Sequence, residues 1–471
     1  MKLAKTTLFV LVLALLAVSV SAIELEEYIG LVKTKHPFFL KEQLAVEVEQ
    51  SKRETLLPRY EWRYSLMPQY TILDEPSSSD FFSNLVQAAA LEAGMQRSFA
   101  DGRRMGFSVS TAYTWMQNPP TVPVPMEANS FQHGVEVSLS WPLKKNLEQL
   151  ARLGYDVQEY TIKAKEVEIL ENQESFLVEP ATLFIDWVYA LELVEIYQQR
   201  LELAEEQLGT TNRMFRSNLI DKVDVLRAED AIRLSQQAIF EYQSLAKSIQ
   251  AVLATLSDTE GIYDDKPDFD FYSFVELPGA GEAASRGKTT TRLKEPLEFL
   301  IEQLRYQSEA IGEREKASLD LFLEVGIYGP QDALVDSLKI IHPQATIGLS
   351  YSPATGVEQV EAERQFISTQ ISQLEQEIEA IEKTVETNVT SILIQAAELV
   401  KIIEVNKQLI ESAEEKALEE ARLYSQGRNM LTNVIQSRDS VQAQKAKLVD
   451  NFARYHRLII QYRALMDQLL N

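Results

Sequence analysis

Apolar residues recur along this chain with two periods. In one, the spacing is mostly four and three: Ile367, Ile371, Leu374, Ile378, Ile381, Val385, Val389 and Ile392, with Glu, Gln and Lys between them. That is a coiled-coil seam. In the other, the spacing is two. Met105, Phe107, Val109, Thr111, Tyr113 and Trp115 face Gly106, Ser108, Ser110, Ala112 and Thr114. His133, Val135, Val137, Leu139 and Trp141 face Gly134, Glu136, Ser138 and Ser140. The pattern returns over 319–327 (Leu319, Leu321, Leu323, Val325, Ile327) and 345–352 (Ala345, Ile347, Leu349, Tyr351). These are strands with one apolar face and one small, polar face.

The two periods alternate in the same order twice. Each half runs helix, strands, proline, long helix, small-turn tip and long helix back. The tips, at Asn218 and Gly427, lie 209 residues apart. That is too long for a solenoid repeat and marks a duplicated domain. The first half covers 23–257: a helix broken near His36-Pro37, a β-hairpin at about 105–142, and a helical hairpin 143–257 with its tip near 218. Pro180 predicts a kink in the first of these helices. Residues 258–295 are rich in Gly and Pro and read as a linker or equatorial segment. The second half, 296–471, has a helix, a β-hairpin at about 318–352, and a helical hairpin 357–470 with its tip near 427. A helix over 357–426 would span about 105 Å and needs a neighbour to be stable.

Composition then narrows the picture. Lys2, Lys5, an apolar stretch from Leu8 to Val20 and Ser21-Ala22 make residues 1–22 a secretory signal peptide, cleaved near Ala22. Its removal takes the formal net charge from −24 to −26. Such acidity argues against nucleic acid and anionic lipid as partners. There are no cysteines, so an exported chain must rely on packing or oligomerisation. No later apolar run reaches the roughly 18 residues of a membrane helix, so any crossing must be made by strands.

Alternating strands with aromatics toward their ends are the code of a transmembrane barrel, apolar outside and polar within. A soluble sheet packed on helices shows the same alternation. Four clear strands cannot close a pore, since single-chain barrels start at about eight, so the chain must oligomerise. A trimer would give about twelve. Residues 60–66 also alternate, but the flanking helices lie on one side, so crossings per half must be even. The preferred pair is 105–116 with 132–142, joined by a loop with Pro119, Pro120, Pro123 and Pro125. Residues 74–102 are then an insertion without an assigned place.

Phe215, Asn218, Asp224, Val225, Leu226 and Ala228 at one tip match Tyr424, Gly427, Asn433, Val434, Ile435 and Ser437 at the other. Together with His36-Pro37 and Tyr351-Ser352-Pro353, they resemble the outer-membrane efflux proteins, the TolC-like export channels. The resemblance covers nearly the whole mature chain. It implies a mainly α fold with a small β part: long antiparallel coiled-coil hairpins forming an α-barrel, plus a transmembrane β-barrel shared between three protomers. It further implies a passive, trimeric outer-membrane duct reaching into the periplasm, docked to a periplasmic adaptor and an inner-membrane transporter. Adaptor-docking tips would be Ser217, Asn218, Leu219, Gln426, Gly427 and Arg428. The periplasmic constriction would involve Asp224, Arg227, Asn433 and Gln436. Membrane-interface aromatics would be Tyr113, Trp115, Trp141 and Tyr351.

Catalytic chemistry finds no support. The four histidines, His36, His133, His342 and His456, have no metal spacing. Gly287-Lys288-Thr289 lacks the strand-to-helix context of a phosphate loop. No catalytic, cofactor or metal residue is expected. The alternative function is a soluble periplasmic coiled-coil adaptor or structural protein, although an adaptor normally has one helical hairpin.

Overall fold

The computed structural model describes residues 22–74, 85–117, 129–144, 147–259, 266–314, 316–331, 342–353 and 357–470. The expected signal peptide, as far as residue 21, and the stretch 118–128, where the sequence predicts a Pro-rich connection, lie outside them. Contacts divide the chain into two compact units. One is built from residues up to 47, 165–296 and 376 onward, and the other from 48–164 and 297–375.

The first unit is helical. It opens with a short strand, β1 (Ala22–Glu24), parallel to β6 (Lys266–Asp268). Helix α1 (Leu25–Lys35) ends at His36, whose N–H reaches the Val32 carbonyl, and α2 (Pro37–Thr55) begins at the proline. Proline is favoured at the first helical position because its missing N–H would be unpaired anyway. Helix α3 (Leu147–Arg216) runs past Pro180, and α4 (Lys222–Ser257) returns from the first tip. Helices α7 (Val357–Ser425) and α8 (Leu431–Leu465) form the second hairpin. Tyr28 of α1, Leu177 and Phe184 of α3, Leu253 of α4, Ile403 of α7, and Phe452 and Tyr455 of α8 meet in one buried cluster. Each such side chain removed from water stabilises the fold by roughly 1.5–3 kcal/mol.

Of the Gly/Pro-rich segment 258–295, residues 266–295 are a packed part of this unit. Phe271 is buried against Phe452 and His456. Tyr455 Oη donates to the Val275 carbonyl at 3.0 Å, and Val275 N–H donates back at 3.2 Å. Helix α5 (Ala280–Thr290) lays Ala283, Ala284 and Gly287 on Val385, Val389 and Met466. A Cβ at Gly287 would sit 3.2 Å from the Met466 sulfur. That glycine therefore serves helix packing, and the Gly-Lys-Thr triplet lies within a helix.

An ionic cluster ties down the chain's last turn. Arg292 meets Glu171 and Glu174 at 3.1 Å and Asp467 at 3.3 Å. Glu174 also accepts from the N–H groups of Leu469 and Leu470. Burial, then the neighbouring Asp467, push the Glu171 carboxyl up to about 7.

The second unit contains the sheet. Strands β2 (Arg63–Asp74), β3 (Leu85–Ser98), β4 (Arg104–Gln117), β5 (Asn129–Pro142), β7 (Ser318–Gln331) and β8 (His342–Ser352) lie in that order, antiparallel throughout. Among the described residues, the first half thus contributes four strands to this sheet and the second two. Both counts are even, as the parity argument requires, but 63–98 is a second hairpin rather than an unplaced insertion. Helix α6 (Glu295–Gly312) packs Ile311 and Leu304 against Val360 and Ile367 of α7.

Candidate functional site

Two sites stand out, one in each unit: the paired tips and the sheet.

Reversing a helix within a few residues needs a left-handed residue. Asn218 supplies it at φ 55° and Gly427 at φ 72°. The hydrogen bonds that follow are the same at both tips. Asn218 N–H donates to Phe215 O and Leu219 N–H to Met214 O. Gly427 N–H donates to Tyr424 O and Arg428 N–H to Leu423 O. Ser217 N–H and Oγ both donate to the Arg213 carbonyl, and Gln426 N–H donates to Leu423 O. Beneath the turns, Met214, Ala228, Tyr424, Leu431 and Val434 form a small shared core. Tyr424 Oη reaches Thr211 Oγ1 at 3.5 Å across the two hairpins. The two tips thus form one packed object, with Leu219 69% and Met430 74% exposed.

The constriction candidates are placed beside this core. Arg227 Nη1 donates to Asp224 Oδ1 at 3.1 Å, a pairing within one helix turn. Asn433 Nδ2 donates to Asn429 Oδ1 at 2.7 Å. Gln436 and Arg227 line a groove of about 420 Å³ with Arg200, Asp230, Ile435 and Asp439. Arg200, 6% exposed, donates through Nη2 to Asp439 Oδ1 at 2.7 Å. The Arg200–Asp439 pair carries no local sequence signal, since its members are 239 positions apart.

In the sheet, strand register decides which side chains share a face. Across the sheet, Leu66 pairs with Ala93, Ala93 with Val109, Val109 with Val135, Val135 with Ile327 and Ile327 with Pro343. Among the described side chains this face carries no Asp, Glu or Lys, and its one arginine is Arg97, near the end of β3. The opposite face holds Arg63, Glu92, Arg104, Glu136, Asp320 and Glu324 among Ser, Gln and Gly, with Met67, Leu73, Val86 and Phe322 between them. Tyr328 Oη donates to Glu136 Oε2 at 2.6 Å there. Its ring covers Gly134 and Gly326, where any Cβ would collide with it.

The aromatics border the apolar face. Tyr113, Trp115, Phe131 and Tyr70 cluster toward one end, with Tyr113 and Phe131 centroids 4.4 Å apart. Trp141 and Tyr351 are exposed toward the other, where the Arg103 guanidinium lies 5.2 Å over the Trp141 ring. Phe131 and Trp141 are ten residues apart on β5. At about 3.4 Å per residue and a tilt of 35–45°, that separation corresponds to a height of about 24–28 Å, close to the apolar band of an outer-membrane barrel. All four sequence-predicted aromatics therefore fall on the charge-poor face, joined by Tyr70 and Phe131.

Among the described residues, no helix is long and apolar enough to cross a membrane, and no group of His, Asp and Glu is arranged to hold a metal.

No protein-family model matches the sequence, and a search of curated proteins finds no relative. Solved structures do match. The outer membrane protein VceC of Vibrio cholerae aligns over 94% of this chain and 95% of its own, with a TM-score of 0.62 and 10% identity. The CmeC outer membrane channel of Campylobacter jejuni gives 0.61 at 11% identity, over 94% and 85%. The MtrE outer membrane channel of Neisseria gonorrhoeae, in its open state, gives 0.60 at 13%, over 94% and 89%. The chain has the fold of these channels: mainly helical, with two long coiled-coil hairpins and a small sheet.

Proposed function

We propose that this chain is a passive outer-membrane channel-tunnel for efflux or type I-like export, working as a homotrimer. The observation that carries the reading is the sheet. Six strands present one face with almost no charge, bordered by aromatics at a membrane's spacing, and one face of charged and polar groups. A soluble sheet packed on helices would bury the first face, but Tyr64, Leu66, Ile347, Leu349 and Tyr351 are 63–78% exposed. Lipid is the environment that suits them. The likeness to outer membrane channels supports the same reading, as do the two helical hairpins, which set the chain apart from the soluble adaptor alternative.

Several helical faces also have no partner among the described residues. Leu234, Phe240 and Leu418 are each more than two-thirds exposed. Neighbouring copies would cover such surfaces. The paired tips would dock a periplasmic adaptor linked to an inner-membrane transporter. Ser217, Asn218, Leu219, Gln426, Gly427 and Arg428 present the turn, with Asp224, Arg227, Asn433 and Gln436 next to it as the constriction. Substrates would be moved by the pump, with the duct supplying a wetted path and a rearrangement of the coiled-coil ends supplying the gate.

The deciding experiment is extraction of the protein from outer membranes, followed by negative-stain imaging. Detergent-dependent release as three-fold cylinders about 100 Å or more long is the expected result. Release without detergent, or monomeric rods, would overturn the proposal.

A further inference from the structure

We propose that three copies of this chain join the free edge of β2 to the free edge of β8 and close an eighteen-stranded barrel, with a bore wide enough for bulky cationic cargo. This rests on the trimeric-channel reading above and concerns how wide that channel is at the membrane.

The argument begins with the hairpin β2–β3. It continues the sheet without a break: β2 pairs with β3 over all its residues, Arg63↔Gln96 to Asp74↔Leu85, and β3 with β4 from Leu85↔Gln117 to Ser98↔Arg104. A flap laid beside a four-stranded sheet would not share its ladder. The charge-poor face also continues onto the hairpin, through Tyr64, Leu66, Tyr70 and Ile72. These side chains are as exposed as those of β8 at the opposite edge. Both edges are therefore built for the same environment.

The edges match in length and direction. Strand β2 has 12 residues and β8 has 11. Six antiparallel strands leave the two edges running in opposite directions, so β8 of one copy meets β2 of the next in an antiparallel pair and the pattern repeats around a ring. Neither edge has a strand partner within the chain among the described residues. Six strands are also too few to close alone, given that single-chain barrels start at about eight. An open edge is a liability that closure removes. Pro68 and Pro343 each withhold one donor from an edge strand. That shortens the seam locally and disfavours open-ended pairing with other chains.

Width follows from strand number. With strands about 4.8 Å apart and tilted about 40°, twelve give a backbone diameter of about 24 Å and eighteen about 36 Å. The cross-section is then roughly twice as large, and barrels of 16–18 strands leave an aqueous channel where eight-stranded ones are filled by side chains. The inward face carries Glu92, Glu136, Asp320 and Glu324 against Arg63 and Arg104, a net charge of −2 per chain and −6 per trimer. A wide, wet, acidic bore passes hydrated cations and bulky cationic solutes in preference to anions.

The chain has no cysteine, so paired cysteines report the seam without background. One series carries Gln69→Cys on β2 with Gln344→Cys, Thr346→Cys or Ser350→Cys on β8, which covers the possible registers. A second replaces Gln69→Cys with Ser110→Cys on β4. Detergent-extracted trimers are treated with a short bis-maleimide and run on denaturing gels. The eighteen-stranded seam predicts covalently linked trimers from the β2 series and none from the β4 series. Linkage from β4 and not from β2 would put the hairpin outside the seam, leave twelve strands and overturn the proposal. Should neither series react, the strand count in a cryo-EM map of the unmodified trimer decides: eighteen upholds it and twelve sinks it. Absence of any trimer by imaging would instead sink the channel reading itself.

Discussion

At the scale of single residues, the tips show how much depends on one backbone angle. Gly427 at φ 72° occupies a conformation that a β-branched residue resists, so Gly427→Val should cost about 1–3 kcal/mol locally. Hydrogen exchange over 423–431 should quicken, and export should fall while trimers still assemble. Normal export from that variant would count strongly against a role for the tip. Asn218→Gly should be nearly silent, because both residues accept the left-handed turn. A second residue-scale prediction concerns Glu171. Its carboxyl is raised from the usual 4.5 to about 7, so the fold prefers it protonated. The stability this gives is present below pH 4.5 and is lost as pH rises through 7. Glu171→Gln should therefore raise stability above pH 7, by on the order of 2 kcal/mol, and flatten its dependence between pH 4.5 and 7. Arg292 keeps Glu174 and Asp467 as partners in that variant. A melting temperature below wild type at pH 8 would show that the Glu171–Arg292 contact outweighs burial.

At the scale of elements, two neighbours on one strand test the sheet. Val137 belongs to the charge-poor face and Ser138 to the charged one. Val137→Arg should cost about 2–4 kcal/mol against a membrane and block detergent-resistant assembly, while Ser138→Arg should assemble. Equal behaviour of the two variants on heat-modifiability gels would refute a lipid-facing surface. The strands also show what the sequence conveys. β4, β5, β7 and β8 were legible because large apolar and small polar residues alternate cleanly. β3 was not, because Ala88, Ala89, Ala90 and Ala93 place the same small side chain on both faces and erase the contrast. Its partner holds the missing signal: Leu66 and Tyr70 on β2 sit over Ala93 and Ala89, large against small. Likewise, Gly and Pro at 258–295 suggested a tether, whereas its aromatics, Phe269, Phe271 and Phe274, already showed that it had something to bury.

At the scale of the whole molecule, the duplicated order of helix, strands and hairpin was plain in the chain, because long heptads and tip motifs recur at a fixed distance. Pairs such as Arg200 with Asp439 or Arg292 with Asp467 were not, because nothing local links residues more than 170 positions apart. Charge makes the prediction at this scale. With a net charge of −2 on the charged face of the sheet and near −24 over the chain, the channel proposed above should be cation-selective once reconstituted. Glu92→Gln with Glu136→Gln should lower that selectivity as read from the reversal potential in a salt gradient. Anion selectivity in the unmodified channel would contradict the assignment of faces.

The unequal strand count of the two halves carries one more consequence. β4–β5 and β7–β8 each lead directly into a long helix, so β2–β3 is the surplus hairpin, and it lies at the margin of the sheet. A hairpin is the smallest addition that returns the chain to the side from which it left. An ancestor could have gained it without redirecting a helix or disturbing a tip. Under the closure proposed above, calibre and machinery are then separately heritable, and a lineage of such proteins could widen in steps of one hairpin per copy while its helical apparatus stayed the same.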